Sequence, residues 1–540
     1  MNMFETVTFA RAKFWFFIGI LALSLFSCSH ENRVHSNYIP TNSCIVVSVD
    51  TEKIFNDAVF DLAANTDINN NLRLMPLYSM IQNPSAAGLK MFSKYHIFIY
   101  GSNLVDVKIG AILPLNDGED LAEYVQMNFR TKVIERDGFQ AAKISERHNL
   151  IWDEYTAIYF SGESGGDLIK QGKIFFTKAD KEILASKDST FSYALNADVH
   201  ISTWLKNDDF ANLINQGLTL FDDLSQFDII LNSGDTFNDG KTVLLTSFNN
   251  GNITTKYRQY LTPEGTLKQL EKEKENNVSA LVPMAISENP IVLVSASLNS
   301  PALVELLKIY EFGKDWNQQA VNFSFLPQIN QLSDYLEGDV LILVDGFEEV
   351  VKVREVPDID DQGNDTLVLK EVIEKKPVVS FGLTVKDSMR FNFIINLLGS
   401  HLPKTDGFFN FNDEIYFTVK QNYFFLTSTK RGIESLNEMN GELSPHLNSM
   451  VSKYASVFYF DADKILKLDD RFAQFNLVGG SNLNNVLVFK GRVNSNGIIE
   501  GETIINFMNQ QNSFVSILKL FSDLFGHLNP SDSGGVINFN

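Results

Sequence analysis

The hydrophobic pattern of this chain alternates between short strands and amphipathic helices, and the same succession occurs twice. Residues 44–49 and 291–296 are apolar runs typical of buried strands, and each precedes a helical pattern. In the second copy the apolar side chains recur at the spacing of one helix face: Leu303, Leu306, Leu307 and Tyr310. Residues 96–101 and 340–346 then predict the next strand of each copy.

Later elements keep this succession in both halves of the chain. Each half continues with a strand that leads into a helix, then a pair of strands, a further strand and a closing hairpin. In the first half these four elements are residues 108–117, 152–161, 197–204 and 243–260. In the second half they are residues 380–387, 414–427, 455–461 and 486–507. The pattern predicts an α+β fold of two tandem, similar modules over residues 38–276 and 277–528, each with a mixed, mostly antiparallel sheet and flanking helices. The alternative is that two unrelated α+β domains share a generic alternation of strands and helices.

The second half contains a segment that the first half lacks, residues 348–376. Two apolar runs flank the acidic stretch 358–365, so the segment predicts a hairpin inserted into the second module and protruding from it. The acidic stretch resembles the calcium loop of EF-hand proteins, but Gln362 is a poor fifth ligand and Leu369 cannot be the twelfth. We expect a solvated turn there, with weak, nonspecific calcium binding as the alternative, and a flexible tail at residues 529–540.

The N-terminal region has the pattern of a processing signal. Arg11 and Lys13 precede an uncharged apolar run, residues 14–26, which is shorter than the roughly 20 residues that a spanning helix needs. The run ends in Leu25-Phe26-Ser27-Cys28, which resembles the lipobox of bacterial lipoproteins. The resemblance implies that residues 1–27 are a signal peptide, that Cys28 receives a diacylglycerol, and that residues 28–37 are a leash. The alternative is an ordinary secretory signal in which Cys28 is incidental.

Composition excludes several classes of protein. The chain has 540 residues, with 45 basic and 66 acidic side chains and a formal net charge of −21. The acidic excess argues against a nucleic-acid partner, because phosphate binding needs a basic face. Two cysteines exclude a disulfide framework and a four-cysteine zinc site.

Motifs that resemble catalytic or metal sites have simpler structural interpretations. Residues 162–166 resemble the nucleophile segment of trypsin-like serine proteases, but neither His96 nor His148 lies in the context of that family's histidine base. A strand-to-helix turn explains these glycines and serine. His30 and His35 are five residues apart, whereas a zinc-binding helix needs a spacing of four. The sequence therefore predicts no catalytic residue, no metal site and no cofactor.

Other chemically distinctive side chains are expected to be packed in the core. His96 and His200 fall within apolar strands. Cys44 is predicted to be a buried free thiol, because lipidation of Cys28 leaves it no partner. The alternative is a Cys28–Cys44 disulfide in a chain that is not lipidated. A dense group of phenylalanines is expected to form a sheet core: Phe408, Phe409, Phe411, Phe417, Phe424 and Phe425.

Residues 38–50, which read Tyr-Ile-Pro-Thr-Asn-Ser and then the first strand, resemble the opening of uncharacterised envelope lipoproteins of Bacteroides-type bacteria. These proteins carry a domain of unknown function, and the resemblance implies an envelope location and no catalytic residues. Only Glu31 among the residues just after Cys28 is acidic, which favours a periplasm-facing outer-membrane lipoprotein. We expect a non-catalytic role that binds or scaffolds an envelope protein or glycan, with no nucleic acid. The alternative is an envelope hydrolase acting on glycan or peptide.

Overall fold

A computed structural model describes residues 34–64, 84–101, 107–161, 166–176, 183–218, 240–273, 275–301, 303–304, 333–359, 365–411, 415–466 and 483–518. The expected signal peptide 1–27, Cys28 and residues 529–540 lie outside the described residues, as do residues 162–165 and 360–364. Among the described residues, no helix is both long enough and apolar enough to cross a membrane.

The chain divides into two compact units with a boundary between Thr266 and Leu267. Unit 1 contains the described residues before this boundary together with Leu466 and residues 483–484 and 494–518. Unit 2 contains the described residues from Leu267 to Ile465 together with residues 485–493. The last of the described strands, Ile498–Phe507, therefore belongs to unit 1.

Strands are numbered along the chain. They are β1 (Ser43–Asp50), β2 (Lys94–Tyr100), β3 (Lys108–Pro114), β4 (Ile134–Arg136), β5 (Phe139–Lys143), β6 (His148–Trp152), β7 (Thr156–Ser161), β8 (Ile201–Lys206), β9 (Lys241–Asn249), β10 (Asn252–Tyr260), β11 (Val292–Ser297), β12 (Leu336–Ile359), β13 (Asp365–Val385), β14 (Lys404–Thr405), β15 (Phe408–Phe411), β16 (Ile415–Lys420), β17 (Tyr423–Thr427), β18 (Ser456–Asp461), β19 (Leu483–Val493) and β20 (Ile498–Phe507).

Helices are numbered in the same way. They are α1 (Thr51–Ala64), α2 (Gly118–Phe129), α3 (Leu168–Phe176), α4 (Leu184–Lys187), α5 (Ser189–Leu195), α6 (Asn207–Leu218), α7 (Pro263–Lys272), α8 (Ser388–Leu398), α9 (Lys430–Glu438), α10 (Pro445–Lys453) and α11 (Ala462–Leu466), with 3₁₀ helices at His35–Tyr38, Pro84–Ala87, Val278–Met284 and Gly399–His401. The mixture of helices and strands confirms the α+β class.

Each unit contains an antiparallel sheet. In unit 1 the order across the sheet is β4–β5–β6–β7–β3–β2–β1–β8–β9–β10–β20. In unit 2 it is β14–β15–β16–β17–β13–β12–β11–β18–β19. All of these pairings are antiparallel, so the expected mixed sheet is not found among the described strands. After β1 the chain returns antiparallel as β2, and after β11 it returns antiparallel as β12.

The sheet of unit 1 is covered on both faces. Tyr95 and Ile97 of β2 pack with Leu121 of α2, whereas Phe98 packs on the opposite face with Phe175 of α3. Successive residues of a strand point to opposite faces, so a strand that is covered twice is apolar at nearly every position. This explains why the sequence shows continuous apolar runs here rather than an alternating pattern.

The core of unit 2 contains most of the phenylalanine group. Phe408, Phe409 and Phe425 are buried, and Phe417 and Phe424 pack beside Phe409. Phe411 is the exception among these side chains, because it lies at the end of β15 and is exposed. The expectation of a sheet core therefore holds for five of the six phenylalanines and is wrong for Phe411.

Candidate interaction surface

Strands β12 and β13 continue beyond the sheet of unit 2 as a two-stranded hairpin. Strand β12 pairs with β11 only over Asp339–Val344, and β13 pairs with β17 only over Ser380–Thr384. Past these residues the described strands pair only with each other, from Gly346 with Val378 to Ile359 with Asp365. This hairpin contains the segment 348–376 that distinguishes the second half of the sequence.

One face of the hairpin is exposed and apolar. In the register of the two strands Val351 lies opposite Ile373, and residues two or four positions away share that face. Five apolar side chains there are between 41% and 68% exposed: Phe347, Val351, Val353, Leu369 and Ile373. We call these five residues the apolar stripe. Exposed apolar residues gathered on one face mark an interaction site more often than scattered ones do.

Charged side chains are distributed unequally between the two faces. Glu349 lies opposite Lys375 on the face of the apolar stripe, and Glu371 lies opposite Val353 on that same face. The other face carries Lys352, Arg354, Lys370 and Lys376, and Glu348 also lies on it, opposite Lys376. In the register, three acidic positions, 349, 355 and 371, and one basic position, 375, therefore share the face of the apolar stripe.

A β-bulge lies where the hairpin leaves the sheet. Val344 pairs with Val379 and Gly346 with Val378, so Asp345 is the extra residue. Gly346 has a φ of 146°, which a side chain would strain. The Oδ1 of Asp345 accepts a hydrogen bond from the N–H of Ser287 at 3.0 Å, while its Oδ2 is buried without a hydrogen-bond partner. Burial raises the pKa of this carboxyl to about 6.

Two histidines form buried polar pairs in unit 1. The Nδ1 of His96 and the Oγ of Ser48 are 2.8 Å apart, and burial lowers the pKa of His96 to about 3. The Nδ1 of His200 accepts the N–H of Phe248 at 3.1 Å, while its Nε2 lies 2.8 Å from Asp57. Burial lowers the pKa of His200 although Asp57 opposes the effect. Both imidazoles are buried, as the sequence predicts. His96 lies within β2 as expected, whereas His200 immediately precedes β8 rather than lying within a strand.

An acidic cleft of about 390 Å³ lies between the start of α2 and the β6–β7 turn. Its carboxylates are Asp117, Glu119, Glu135, Asp153 and Glu154, and its floor is Trp152. Four of them are exposed and Asp153 is half-buried. No sequence pattern indicates this cleft, because its residues come from three separate segments.

Two of the cleft carboxylates already have structural partners. Asp117 caps α2 by accepting the N–H of Glu119 at 2.7 Å. Asp153 accepts the N–H groups of Tyr155 and Thr156 at 2.9 and 2.8 Å. These hydrogen bonds give both residues a structural role, Asp117 in the helix cap and Asp153 in the turn.

A second cleft of about 390 Å³ lies at the opposite end of the same sheet, near the start of β1 and helix α3. Tyr100, Phe160, Phe175 and Lys108 are among its lining residues. Its lining is more apolar than that of the acidic cleft.

No group of three potential metal ligands occurs among the described residues. His35 lies beside Thr156, with 3.2 Å between its Nδ1 and the threonine Oγ1, whereas His30 is outside the described residues. The calcium-like stretch 358–365 is also largely outside them.

No protein-family model matches the chain, and no curated protein matches its sequence. Among solved structures, the chain is similar to the one titled "Structure of crystal form I of TP0453" with a TM-score of 0.25 and 6% identity. The match covers 44% of this chain and 81% of that chain. A similarity at this level supports no statement about fold or function.

Proposed function

We propose that this chain is a lipid-anchored protein of the bacterial envelope that binds a partner through the apolar stripe of its hairpin and performs no catalysis. The observation that carries the proposal is the stripe itself, five large apolar side chains left in solvent on one face of a protruding hairpin. Their exposure is unfavourable by roughly 25 cal/mol for each Å² of apolar surface, and a partner would cover that surface.

The proposed anchor is the lipid on Cys28, and the proposed location is the periplasm-facing leaflet of the outer membrane. The lipobox-like end of the apolar run supports this proposal. A tether would keep the hairpin near the membrane and raise its effective concentration toward other envelope components. Replacing Cys28 with alanine should move the protein from the membrane fraction to the soluble fraction.

We also propose that the two halves are copies of one module. The strand orders support this, because adding ten to the numbers of the first nine strands in the order of unit 1, from β4 to β9, gives the order of unit 2. Local contacts agree as well. The N–H of Asp50 donates to the carbonyl of His200 at 2.8 Å, and at the corresponding turn the N–H of Ser297 donates to the carbonyl of Ala455 at 2.8 Å. Two unrelated domains that share only an alternation of strands and helices would not agree in the order of nine strands across their sheets.

The hydrolase alternative requires two acidic groups in different environments that face one cleft. The acidic cleft provides carboxylates, but four are exposed and the fifth, Asp153, holds a turn. The Ser48–His96 pair resembles a nucleophile and base but is buried and lines neither of the clefts described above. These observations favour the binding role over hydrolysis.

The binding role is tested by placing a photo-crosslinking amino acid at position 351 of the full chain in living cells. Illumination should give an adduct of higher mass, because the stripe is covered in the envelope. The same amino acid at position 352, on the basic face, is the matched control. If position 351 gives no more adduct than position 352, the stripe is not a binding surface and the proposal is wrong.

Catalysis needs a separate test. The purified protein should show no turnover of envelope glycans, peptides or model esters. Turnover that a single substitution such as Glu135→Gln or Ser48→Ala abolishes would establish the hydrolase alternative.

A further inference from the structure

We propose that the second cleft binds an amphiphile, a molecule with one anionic headgroup and an apolar alkyl chain. We call it the α3 cleft; Tyr100, Lys108, Phe160 and Phe175 are among the residues that line it. Its volume, about 390 Å³, falls within the range of roughly 300–1,000 Å³ that small-molecule sites occupy. The α3 cleft belongs to unit 1 and the apolar stripe to unit 2, so the two sites can be tested separately.

The aromatic wall of the α3 cleft comes from one face of the sheet and the helix that covers it. In the register, Tyr100 of β2 lies opposite Lys108 of β3, and Phe160 of β7 lies opposite Gly110. Positions two apart along a strand share a face, so these side chains lie on the face that α3 covers. Phe175 of α3 packs there, with its ring centroid 5.4 Å from that of Phe160 and 6.3 Å from that of Tyr100. Three aromatic rings therefore lie beside one lysine.

Lys108 is a cation without a partner in an apolar setting. Among the described residues that line the α3 cleft, it alone carries a charge. It is half-buried, and no other side chain in the described part of the chain forms an ion pair or a hydrogen bond with its ammonium group. The chain has 66 acidic and 45 basic side chains, so carboxylates are not scarce. An anion that enters the cleft would supply the missing ion pair.

Tyr100 provides a second donor for the same headgroup. Residues directly opposite one another in an antiparallel pair have Cβ atoms about 5 Å apart, so Tyr100 and Lys108 are neighbours. Burial raises the pKa of Tyr100 to about 12, and its phenol therefore keeps the proton that it can donate. A carboxylate or phosphate accepts from both groups. A cationic ligand would be repelled by Lys108, and an uncharged one would leave it unpaired.

The rest of the ligand must be apolar. Ile174 of α3 lines the α3 cleft and is 65% exposed, whereas the adjacent Phe175 is 6% exposed. An alkyl chain that runs from Lys108 along the aromatic wall to Ile174 would cover both side chains. Each methylene that it buries should raise the affinity about fourfold. A second charge on the ligand would lie against the rings without a partner, which favours a single headgroup at one end.

A photoactivatable fatty acid tests the site in the full chain. Palmitic acid that carries a diazirine and an alkyne is added to a dialysed lysate of expressing cells, in which no ATP or CoA remains to esterify the probe. After illumination, mass spectrometry should locate the adduct within residues 98–110 and 168–176. Adducts that are spread along the chain without enrichment in these two segments would overturn the proposal.

The role of Lys108 is tested by competition between laurate and dodecanol, which share one alkyl chain and differ in the headgroup. Laurate should displace the probe from the native protein roughly fivefold better than dodecanol does. The two should compete equally in Lys108→Met, and Lys108→Arg should restore the difference. A merely structural effect would weaken both competitors alike. If laurate keeps its advantage in Lys108→Met, the lysine does not hold the headgroup and the proposal is wrong.

The path of the alkyl chain is tested at the rim. Ile174→Asp sets a carboxylate beside the proposed chain and should lower labelling at least fivefold. Met127→Asp is the matched control, because Met127 is 71% exposed on α2 and lines neither of the clefts described above. Both side chains are exposed, so neither change disturbs the core. Equal labelling of the two variants would contradict the proposed path.

A free fatty acid and an anionic phospholipid offer the same chemistry, and two further competitors distinguish them. Vesicles of phosphatidylglycerol are compared with neutral vesicles of phosphatidylcholine, since both absorb free probe. Displacement by laurate, with no difference between the vesicles, identifies a free fatty acid. Stronger displacement by phosphatidylglycerol identifies the acyl chain of a phospholipid. If neither laurate nor phosphatidylglycerol displaces the probe, the α3 cleft does not bind an anionic amphiphile.

Discussion

Two acidic residues of β12 have buried carboxyl groups that differ in their hydrogen bonding. Asp339 is fully buried, but its carboxylate accepts the hydroxyl of Ser297 at 2.7 Å and that of Thr384 at 3.3 Å. Asp345, six residues later, has one buried oxygen without a hydrogen-bond partner. An unsatisfied buried polar atom costs about 1–3 kcal/mol, so Asp345 destabilises unit 2 when it is ionised.

The free-energy cost of burying the Asp345 carboxyl should depend on pH. Its folded pKa, about 6, lies above its ordinary value of 3.8. The folded state therefore binds the proton more tightly, and stability falls as pH rises from about 4 through about 6. Asp345→Asn keeps the acceptor for Ser287 and removes the charge. We expect it to raise the free energy of unfolding by about 1–3 kcal/mol at pH 8 and by much less at pH 4.

Urea unfolding of both proteins at the two pH values measures this difference. The exposed Glu442 gives a matched control, because Glu442→Gln removes a carboxylate that is not buried. If Asp345→Asn raises the free energy of unfolding equally at pH 4 and pH 8, the buried charge is not the cause of the stabilisation.

Cys44 should be unreactive in the folded protein. It is a free, buried thiol whose Sγ donates to the carbonyl of Ile99 at 3.2 Å, and burial raises its pKa to about 11. Very little thiolate exists near neutral pH, and the thiolate is the reactive form. Labelling with a maleimide should occur only after unfolding, without any reductant. Rapid labelling of the native protein would contradict the burial.

At the scale of elements, the apolar and turn patterns were sufficient to predict most strands and the inserted segment 348–376. They did not predict the face of the hairpin, because a face depends on register and a shift of one residue reverses it. Knowing that Val351 opposes Ile373 would have revealed the stripe. The bulge at Asp345 was also invisible, since an extra residue leaves no mark in a period-two pattern.

The hairpin should be dispensable for folding. Glu348 already faces Lys376, so Asn-Gly in place of residues 349–375 would close the two strands with a tight turn. We expect the thermal midpoint of this variant to lie within a few degrees of the parent, because the stripe is exposed. A large fall in the midpoint, measured by circular dichroism, would show instead that the hairpin supports the sheet.

At the scale of the molecule, the halves of the sequence and the units of the structure do not coincide. Strand β20 comes from the second half, yet it pairs with β10 over nine residues, from Asn252 with Asn506 to Tyr260 with Ile498. The sequence placed it in the second module because it follows β19 through an Asn-Gly turn. Periodicity and local turns cannot show that a strand also has a partner far away in the chain.

Unit 1 should therefore need the C-terminal segment. Four of its side chains, Phe507, Phe514, Val515 and Leu518, pack into one cluster with residues of α1 and of β9 and β10. Fully burying each contributes about 1.5–3 kcal/mol, and without β20 the edge of β10 would be open to association. A fragment of residues 34–266 should be several kcal/mol less stable and more prone to aggregate than the same fragment joined by a flexible linker to residues 494–540.

Urea unfolding and sedimentation of the two fragments make this comparison. A matched control carries Phe514→Ala in the joined fragment. Phe514 is fully buried, so its truncation should lower the free energy of unfolding by about 3–5 kcal/mol. That loss should cancel a large part of the stability that the joined fragment gains over the short one. If the short fragment is as stable and monomeric as the joined one, unit 1 folds without β20. The long-range pairing would then be an addition to a complete first module rather than a part of it.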